Sequence, residues 1–583
     1  MEGNYDEAID YYSKFIKAFP LNKYTPDAYY WRSMCYYKKG NYRKVVDYYE
    51  EFLKRFKNDE LVEDFSFIAG SSALKIKEYR RSISYYKKIK DKRLRNYYIA
   101  KVYFKMGKWK EARKYYSMVL RDYPDSEKAR KSFLEYSHTY LNEKKYEKAI
   151  ESYKKLMERY PDTDEMQEAY FWIGFTYYRM NRFDKAVEVF LDYSLKFPSS
   201  GFTEKSLYYA GWAYFKKGEY SKSRNIFEKL LSKFPNSEYK EEIFAKIADS
   251  FFNEGNYGKA VDFYRIIVDS YPYYSKRDVA MFYLGLSYRK LNRNEDADKV
   301  LLSISKIYPE SEYSIKALFN VGEYHMNREN FEYALSVFKK IKDLAKEKEE
   351  KDRAVYWIGY ILLKMKKYKD ARSYFSLLIS TGTKKDLRVE ALFRIGVSYY
   401  EEGNFKESAY IFTQLKKEYP DSEFIPQAMY LKYLSLKNLS FEESEKVKNE
   451  LVKEFPLSAY SAKIYFEEGV KNEENKDYLT AIKYYEKVTK ILHNEIGAEA
   501  QKRIARCFLN LGDPDRAKVE YLKVVYVYPE YKELGASSLF QVAKILDSKG
   551  DIKERDKILK KIVDEYQGTT WAVKAEKWLK EKE

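Results

Sequence analysis

The chain has 583 residues, more than one compact hydrophobic core usually serves, so we expect several domains or one elongated repeat array. Hydrophobic residues make up 45% of it and charged residues 34%, with a formal net charge of +19, and this composition excludes intrinsic disorder. Because it has only 22 Gly and 13 Pro, long linkers are not expected. No stretch approaches the roughly eighteen apolar residues of a membrane-spanning helix.

The residues that carry most enzyme chemistry are few and scattered. Two cysteines, Cys35 and Cys507, cannot form a disulfide framework, and the histidines His138, His325 and His493 lie far apart in the sequence. The sequence contains no Gly-rich phosphate loop of the Walker type, no HExxH and no Cys-x-x-Cys pair. We therefore predict a non-enzymatic protein with no catalytic residues, no metal site and no cofactor.

A unit of 37 residues recurs along the chain. Its marker is a G-x-aromatic-x-x-small pattern, as in GNYDEA, GKWKEA and GEYSKS. The third position of the marker falls at sixteen places: Tyr5, Tyr42, Tyr79, Trp109, Tyr146, Phe183, Tyr220, Tyr257, Asn294, Phe331, Tyr368, Phe405, Phe441, Tyr478, Pro514 and Ile552. Eleven of the fifteen intervals are 37 residues, three are 36 or 38, and only the interval from Tyr79 to Trp109 is shortened, to 30. This regularity predicts a repeat architecture.

Each unit contains two amphipathic helices. Around residue 218, one apolar stripe extends from Leu207 to Phe215 and a second from Tyr220 to Leu231, both with the three-to-four-residue spacing of a helix. Gly218 lies between them and can adopt the left-handed conformation that ends a helix. The unit is therefore predicted to be a helix-turn-helix.

A short motif separates one unit from the next. YPDSE occurs at Tyr123–Glu127 and again at Tyr419–Glu423, and near-copies begin at Tyr160, Phe234 and Tyr308. We expect the aromatic residue to end a second helix, the proline to prevent its continuation and the Asp-Ser pair to cap the next helix. The following Glu then lies in the first turn, where the helix dipole favours it. The motif is interpreted as structural.

These residues resemble the tetratricopeptide repeat (TPR). In the unit built on Ala186, the small Gly174 and Tyr177 lie twelve and nine residues earlier. Phe190 and Pro198 lie four and twelve residues later, which completes the small–Tyr–Ala–Phe–Pro pattern of the family. The resemblance implies an all-α, right-handed superhelical solenoid of about sixteen 37-residue helix-turn-helix units. The usual TPR unit has 34 residues, and the three extra ones fall between the proline and the next helix.

The repeats are expected to fill residues 21–566. Residues 1–20 predict a second helix with no first helix before it, so we expect either that upstream residues are missing or that a partner covers this end. Residues 567–583 predict one extra helix, apolar on one side and charged on the other, which would cap the array.

Two stretches depart from the regular unit. Residues 426–445 are expected to be irregular, because Lys432 or Tyr433 stands where a small residue is expected. Residues 75–131 contain the shortened interval and hold twenty Lys or Arg against six Asp or Glu, a net charge of +14. The predicted basic patch within them comprises Lys87, Lys88, Lys90, Lys92, Arg93, Arg95, Lys101, Lys105, Lys108 and Lys110.

Concentrated positive charge raises the local concentration of anionic partners. An acidic protein fits this patch, and peripheral contact with an anionic membrane surface stays open. Nucleic acid is not expected as a partner, because the aromatic residues there follow core periodicity and no recognition motif is present. The plain alternative is a solvated face in a chain that is rich in lysine throughout.

The TPR resemblance also implies where partners bind. TPR arrays bind other proteins along a concave face lined by their first helices, and the lining side chains are expected fifteen, eleven, eight and seven residues before the small residue of the second helix. Counted from Ala112, Ala186 and Ser223, these are Tyr97, Lys101, Phe104, Lys105, Phe171, Phe175, Tyr178, Arg179, Tyr208, Trp212, Phe215 and Lys216. Such a groove suits an extended or helical peptide with acidic and apolar side chains. His138 is positioned to face it too, and the alternative is that many of the rings only pack neighbouring units together.

The long unit with its aromatic-Pro-Asp/Asn-Ser corner looks like the TPRs of bacterial envelope proteins, such as outer-membrane-assembly lipoproteins and the periplasmic partner of the Tol–Pal system. The resemblance implies a scaffold in the assembly or organisation of a bacterial cell-envelope complex, located in the periplasm or the envelope. The alternative is a cytoplasmic scaffold that docks on nucleic acid or an anionic membrane through residues 75–131.

Overall fold

The structure is a computed structural model that describes residues 4–581. This range contains 32 α-helices and no strand, and the helices follow one another as antiparallel hairpins. The chain forms two compact units, Met1–Val300 and Leu301–Glu583. The all-α repeat predicted from the 37-residue period is confirmed.

In the first compact unit, odd-numbered helices are the second helices of the hairpins and even-numbered helices are the first. Its helices are α1 (Tyr5–Ala18), α2 (Thr25–Lys38), α3 (Tyr42–Arg55), α4 (Val62–Lys75), α5 (Tyr79–Tyr86), α6 (Lys92–Lys105), α7 (Trp109–Asp122), α8 (Glu127–Asn142), α9 (Tyr146–Arg159), α10 (Asp164–Arg179), α11 (Phe183–Lys196), α12 (Thr203–Lys216), α13 (Tyr220–Lys233), α14 (Lys240–Asn253), α15 (Tyr257–Ser270) and α16 (Arg277–Lys290). Helix α17 (Asn294–Ile307) contains the boundary.

The second compact unit continues the same alternation. Its helices are α18 (Glu312–Asn327), α19 (Phe331–Leu344), α20 (Lys348–Lys364), α21 (Tyr368–Thr381), α22 (Lys385–Glu401), α23 (Phe405–Glu418), α24 (Ile425–Lys437), α25 (Phe441–Glu454), α26 (Ala459–Glu474), α27 (Tyr478–Ile491), α28 (Glu495–Asn510), α29 (Pro514–Val527), α30 (Lys532–Ser548), α31 (Ile552–Glu565) and α32 (Thr570–Lys580).

The turn inside each hairpin except α24–α25 contains one residue in the left-handed conformation. Gly218, between α12 and α13, has φ +78°, as the sequence predicts. The corresponding turn after α8 has Lys144 at φ +58°, and the turn after α10 has Asn181 at φ +58°. Glycine is therefore favoured at this position and is not essential, because a single left-handed residue at a surface turn is tolerated.

Within a hairpin, a small residue of the first helix meets a ring of the second. A Cβ added at Gly174 would lie 2.8 Å from Cε1 of Phe190, and one added at Gly396 would lie 2.5 Å from Cε1 of Phe412. The same relation joins Gly211 to Phe227, Gly322 to Phe338 and Gly359 to Phe375. These glycines allow the two helices to approach closely, as predicted, and the buried rings form the core between them.

The YPDSE motif behaves differently in its two copies. After Tyr123, Ser126 is the N-cap of α8, and its Oγ accepts a hydrogen bond from the backbone N of Ala129 (3.1 Å), as predicted. After Tyr419, the prediction is wrong: α24 begins only at Ile425, and Ser422 Oγ accepts from Phe424 N (3.2 Å) in the preceding turn. The near-copy FPNSE behaves in the same way, because α14 begins only at Lys240 and Ser237 Oγ accepts from Tyr239 N (3.1 Å), so the capping prediction is wrong there too. The late start therefore does not require the proline found in α24.

The shortened interval comes from one helix. Helix α5 has 8 residues, whereas the neighbouring second helices α3 and α7 have 14. Glu63 of α4 accepts hydrogen bonds from the backbone N atoms of Lys90 (2.9 Å) and Asp91 (3.4 Å), which holds the chain where α5 has ended. Asp91 then caps α6 by accepting from the backbone N of Arg93 and Leu94.

The last helix packs through two tryptophans. The rings of Trp571 and Trp578 lie 5.2 and 5.3 Å from the ring of Phe540 in α30, and Ala575 is buried between the helices. Residues 1–3 and 582–583 lie outside the described residues, so the predictions for residues 1–20 and 567–583 meet the structure only from Asn4 to Glu581.

Candidate functional site

The first helices α6, α8, α10, α12 and α14 present one row of side chains. Each position is counted back from the small residue of the second helix in the same hairpin. The residue eleven before it in one hairpin contacts the residue fourteen before it in the next hairpin. The pairs in contact are His138 with Trp172 and Phe175 with Tyr209 (ring centroids 4.9 and 5.1 Å apart), and Trp212 with Lys246 (Nζ 4.9 Å from the ring centroid). The row is therefore a continuous surface built from successive repeats.

A cavity of about 430 Å³ opens in this row across α6, α8 and α10. It is lined by Phe104, Glu135, His138, Leu141, Asn142, Lys144, Trp172, Phe175 and Arg179. Its walls thus combine three aromatic rings with two cations and one carboxylate. A volume of this size is typical of a small ligand site and is enough for one or two side chains of a bound peptide.

Glu135 on α8 supplies the carboxylate. Burial alone would raise its pKa, but the adjacent His138 ring and the charges of Lys101 and Lys105 on α6 outweigh this effect and hold the pKa below its ordinary value. Glu135 therefore stays ionised at neutral pH, and the two lysines and Arg179 leave the surroundings of the cavity net positive.

The imidazole of His138 leaves one polar atom unused. Its Nδ1 lies 3.9 Å from Glu135 Oε2, beyond hydrogen-bond distance. Its Nε2 is buried and has no hydrogen-bond partner among residues 4–581. Buried polar atoms are normally paired, so this nitrogen is an exception, and because it is enclosed it lies behind the cavity wall.

The row ends at α14 in a mixed aromatic and charged cluster. The Lys246 ammonium lies 5.2 Å from the Phe215 ring centroid and pairs with Asp249 (2.5 Å). Tyr264 from the second helix of that hairpin donates a hydrogen bond to the other oxygen of Asp249 (2.7 Å). The charged groups at this end of the row are therefore paired within the protein. The buried Trp212 Nε1, in contrast, has no hydrogen-bond partner among the described residues.

The predicted lining positions divide into two classes. Tyr97, Phe171 and Tyr208, fifteen residues before the small residue, are only 6%, 3% and 9% exposed. Phe171 packs on the ring of Phe202 (centroids 5.0 Å apart), and Tyr208 stacks on Tyr239 (4.2 Å). The structure therefore places these three rings in the packing between helices.

The other predicted positions lie at the surface of the row. Phe104, Phe175 and Arg179 line the cavity, while Lys101 and Lys105 lie close enough to Glu135 to lower its pKa. Tyr178, Trp212 and Phe215 are half-buried, and Lys216 is exposed with its ammonium 5.9 Å from the Trp212 ring centroid. Partner binding by any of them stays a prediction.

Comparison with known families agrees with the helical pattern. Three models described as tetratricopeptide repeat match eight segments of the chain: residues 1–22, 26–59, 96–126, 131–163, 168–200, 352–381, 390–422 and 499–531. The chain is built from tetratricopeptide repeats. A further model, described as YfiO outer membrane lipoprotein, matches residues 200–327.

Two solved structures are similar to the TPR chain at 15% sequence identity. One, titled "Crystal Structure of the Yeast Tom70", covers 78% of this chain and 95% of its own length, with a TM-score of 0.30. The other, "Functional Characterization of Pseudomonas Aeruginosa pilF", covers 39% and 96%, also with a TM-score of 0.30. Both superpositions are loose, so the repeat assignment depends on the family models. No curated protein matches the chain.

The predicted basic patch does not lie on one face of the TPR hairpins. Lys87, Lys88 and Lys90 are exposed in the loop before α6, whereas Lys108 lies beyond its other end. A 14-residue helix is about 20 Å long, so these groups are well separated. Lys101 and Lys105 belong to the groove row, and Lys92 and Lys110 are exposed.

Two further members of the predicted patch are held by neighbours. The Arg93 guanidinium pairs with Asp91 (3.0 Å), and Arg95 donates to the backbone carbonyl of Ile89 (3.2 Å). The structure therefore divides the ten cations into the groove, both ends of α6 and internal pairs. Binding of an anionic partner by them stays a prediction.

Sequence reasoning missed Glu135 and Trp172, which lie fourteen residues before their second-helix alanines. A signal was available: positions fourteen, eleven and seven before that alanine follow an i, i+3, i+7 spacing and so share one stripe of a helix. At the position fifteen before, Phe171 and Tyr208 instead pack on Phe202 and Tyr239 at the start of the next hairpin. The stripe at fourteen, eleven and seven therefore includes two groove residues that the offsets fifteen, eleven, eight and seven leave out.

Other kinds of site find little support among residues 4–581. This range holds no cluster of three or more His, Cys, Asp or Glu side chains placed to bind a metal ion. Burial raises the pKa of the Cys507 thiol to about 12, so it is a weak nucleophile at neutral pH. No helix in the range is both long enough and apolar enough to span a membrane.

Proposed function

We propose that this TPR chain is a non-enzymatic scaffold that binds a protein segment along the first-helix row from α6 to α14. The observation that carries the proposal is the cavity across α6, α8 and α10, whose wall combines three aromatic rings with two cations and the Glu135 carboxylate. Tetratricopeptide repeats expose extended concave surfaces of this kind, and peptides bind such surfaces through a few anchoring side chains.

The chemistry of the row defines the segment that fits. Trp172 and Phe175 offer ring faces for an apolar or aromatic anchor. Lys101, Lys105 and Arg179 attract carboxylates, while Glu135 accepts a hydrogen bond from a backbone amide or a hydroxyl group. We therefore expect an extended or helical segment that carries acidic residues close to an apolar anchor.

The match of residues 200–327 to the outer membrane lipoprotein model supports a place in the bacterial cell envelope. We propose that the scaffold acts in the assembly or organisation of an envelope complex, in the periplasm or at the envelope. Fractionation of the cells that make the chain tests this location, and recovery in the cytoplasm alone would contradict it. The cytoplasmic alternative through residues 75–131 is not proposed, because its cations are divided among separate surfaces.

The groove is tested by capture of partners on the immobilised full chain from an extract of its own cells, with quantitative mass spectrometry. The groove variant combines Phe175→Ala with Arg179→Glu. Truncation of an anchoring residue typically weakens binding by about 2 kcal/mol, or roughly thirtyfold in Kd. We expect the captured partner to be lost and its titrated Kd to rise by at least that factor.

The matched control combines Leu195→Ala with Lys229→Glu. Both residues are exposed on second helices, α11 and α13, so the same change of charge and a similar truncation of a large apolar side chain are made away from the row. Partner capture should stay at the wild-type level in this variant. Equal loss in both variants, or loss in neither, would contradict the groove assignment. Circular dichroism melting of each variant checks that the fold is intact.

A further inference from the structure

At one position of the first helix, most repeats have a buried aliphatic residue. It lies thirteen residues before the second-helix small residue. Its occupants are Ile99, Ile173, Ala210, Ile247, Leu284, Val321, Ile358 and Ile395, all between 0% and 6% exposed. The turn between α24 and α25 is one residue shorter, since Ser440 N bonds to Leu436 O where Asn404 N bonds to Tyr399 O. The equivalent position in α24 therefore lies twelve residues before Ser444, 37 residues after Ile395, and is occupied by Lys432. A cation therefore stands at a core position of the repeat.

Lys432 lines a cavity of about 420 Å³ between α23, α24 and α25. The wall around it is mainly apolar and includes Ala409, Leu436, Leu439 and Val447. Lys406 and Lys446 also line the cavity, and Glu443 is the acidic side chain among the lining residues. The cavity thus joins an apolar interior to a net positive lining, and its size falls in the range of ligand sites.

The Lys432 ammonium has no counter-charge from this protein. Among residues 4–581, no carboxylate lies within 4.0 Å of it and no hydrogen bond satisfies it, although Glu443 and Glu450 lie in its surroundings. Glu450 pairs instead with Lys416 (2.8 Å). Burial lowers the pKa of Lys432, as expected for a partly desolvated ammonium. A half-buried cation without a partner is unfavourable.

A second hairpin shows that the cavity and the unpaired group are separate features. In α8 the same position is occupied by Tyr136, and a cavity of about 530 Å³ opens over it. There, however, the Tyr136 hydroxyl is hydrogen-bonded to the Tyr140 hydroxyl (3.2 Å). In these two hairpins a cavity lies over the position, and its polar group is paired within the chain in α8 but not in α24. The position also holds a polar residue in α2 (Arg32) and in α26 (Glu468).

We propose that the α24 cavity binds a carboxylate carried on an apolar body, with the carboxylate paired to Lys432 and the apolar body packed on Leu436 and Val447. A neutral apolar ligand would leave the ammonium uncompensated, and a small inorganic anion would leave the apolar wall bare. The ligand therefore needs both parts. This site lies in the second compact unit and does not depend on the proposed groove.

Two sources supply such chemistry: a free fatty acid, or a protein segment in which a Glu or Asp lies next to apolar side chains. The rim is compatible with both, since Tyr410 and Leu439 are 60% and 54% exposed beside the opening. Isothermal titration calorimetry on the full chain separates them. One arm uses sodium octanoate against neutral 1-octanol, and the other uses acetyl-Leu-Glu-Leu-amide against its Gln counterpart.

We expect saturable binding of octanoate, the Glu peptide or both, and no comparable binding of the neutral partner in the same arm. Binding of octanoate alone assigns a free acyl carboxylate, and binding of the Glu peptide alone assigns a partner segment. The Lys432→Leu variant restores the aliphatic residue of the repeat, so it should fold at least as stably while binding weakens about tenfold or more. Lys432→Met is a second variant with the same expectation.

Lys417→Met is the charge-matched control, because Lys417 is exposed on α23 and does not line the cavity. It should bind like the wild-type chain. The proposal is overturned if neither carboxylate probe binds saturably or if the neutral partners bind as well. It is also overturned if both Lys432 variants keep the wild-type affinity, since Lys432 would then have only a structural role.

Discussion

Two neighbouring hairpins fill the same space in opposite ways. In α22–α23, Gly396 of the first helix leaves room for the buried ring of Phe412 from the second. In α24–α25, the position 37 residues after Gly396 is Tyr433, which is 4% exposed, and the position 36 residues after Phe412 is Lys448. The ring of the irregular hairpin thus comes from the first helix.

Lys448 shows what replaces the ring on the second helix. It is 8% exposed, and its ammonium pairs with Glu468 of α26 (2.7 Å) and with Glu445. Burial would lower its pKa, but these two carboxylates raise it, so Lys448 stays charged. The comparison teaches that the repeat fixes the volume between the two helices of a hairpin, and that the ring that fills this volume can come from either helix.

The largest effect is expected from removing the exchanged ring. Tyr433→Gly should destabilise α24–α25 by about 4 kcal/mol, because an aromatic core residue is deleted and a helical glycine is created. Adding Lys448→Phe restores the arrangement of α22–α23 and should recover at least half of that loss. Hydrogen exchange of the α24 and α25 amides measures this locally, since repeat arrays need not unfold in one step. If the free-energy changes of Tyr433→Gly and Lys448→Phe simply add in the double variant, the proposed exchange of the ring between the two helices is contradicted.

A somewhat smaller effect is expected in the regular hairpin. Gly396→Ala places a Cβ 2.5 Å from Cε1 of Phe412, so overpacking should cost about 1–3 kcal/mol. Gly258→Ala in α15 is the matched control, because no atom lies within 4 Å of its added Cβ and stability should stay level or rise slightly. Melting temperatures of the two variants test this. Equal shifts would mean that the space at Gly396 is not limiting.

The ion pairs of Lys448 are expected to contribute less than Tyr433 does. Lys448→Met keeps most of the volume and leaves two carboxylates that retain access to water, so the loss should be about 1 kcal/mol or less. Hydrogen exchange of α25 again gives the measurement. A loss as large as that of Tyr433→Gly would show that charge pairing, and not the ring, holds this hairpin together.

The smallest effect is a dependence on alkaline pH. Burial and the hydrogen bond to Glu467 (3.0 Å) raise the pKa of Tyr433 above the value near 10 of the unfolded chain. Below about pH 10 both states are protonated, so the phenol adds no pH dependence. Above it the unfolded state releases the proton first, and stability falls. Tyr433→Phe removes this contribution.

The pH effect is measured as the difference in melting temperature between wild type and Tyr433→Phe. At neutral pH the variant should be less stable by about 1 kcal/mol, through the lost hydrogen bond. The difference should shrink between about pH 9 and pH 11. A difference that stays constant over this range would contradict the raised pKa.

Most of the fold could be predicted because each repeat carries its own apolar stripes, turn residue and small position. The second YPDSE motif could not, since the same letters cap α8 directly but precede an extra turn before α24, as FPNSE does before α14. In the sequence, the move of the buried ring from the second helix (Lys448) to the first (Tyr433) shows only as a missing small residue. Which helix would supply the ring depends on packing that the spacing alone does not contain.

The candidate site was predicted in part. Positions eleven, eight and seven before the second-helix small residue lie on the first-helix row, as with Phe104, Phe175 and Arg179 in the cavity. The rings fifteen before it are buried because aromatic residues of the next hairpin, such as Phe202 and Tyr239, pack on them. The unpaired His138 Nε2 could not be inferred from sequence, since it depends on which atoms lie within bonding distance.

The central claim is that a partner lies on the first-helix face, and site-specific photo-crosslinking in the cells that make the chain tests it most directly. A photoreactive benzoylphenylalanine replaces Phe175 in one form of the full chain and Leu195, which is 71% exposed on second helix α11, in the other. We predict a discrete adduct with a partner protein from position 175 and none from position 195. Adducts at 195 alone, or the same adducts at both positions, would contradict the claim.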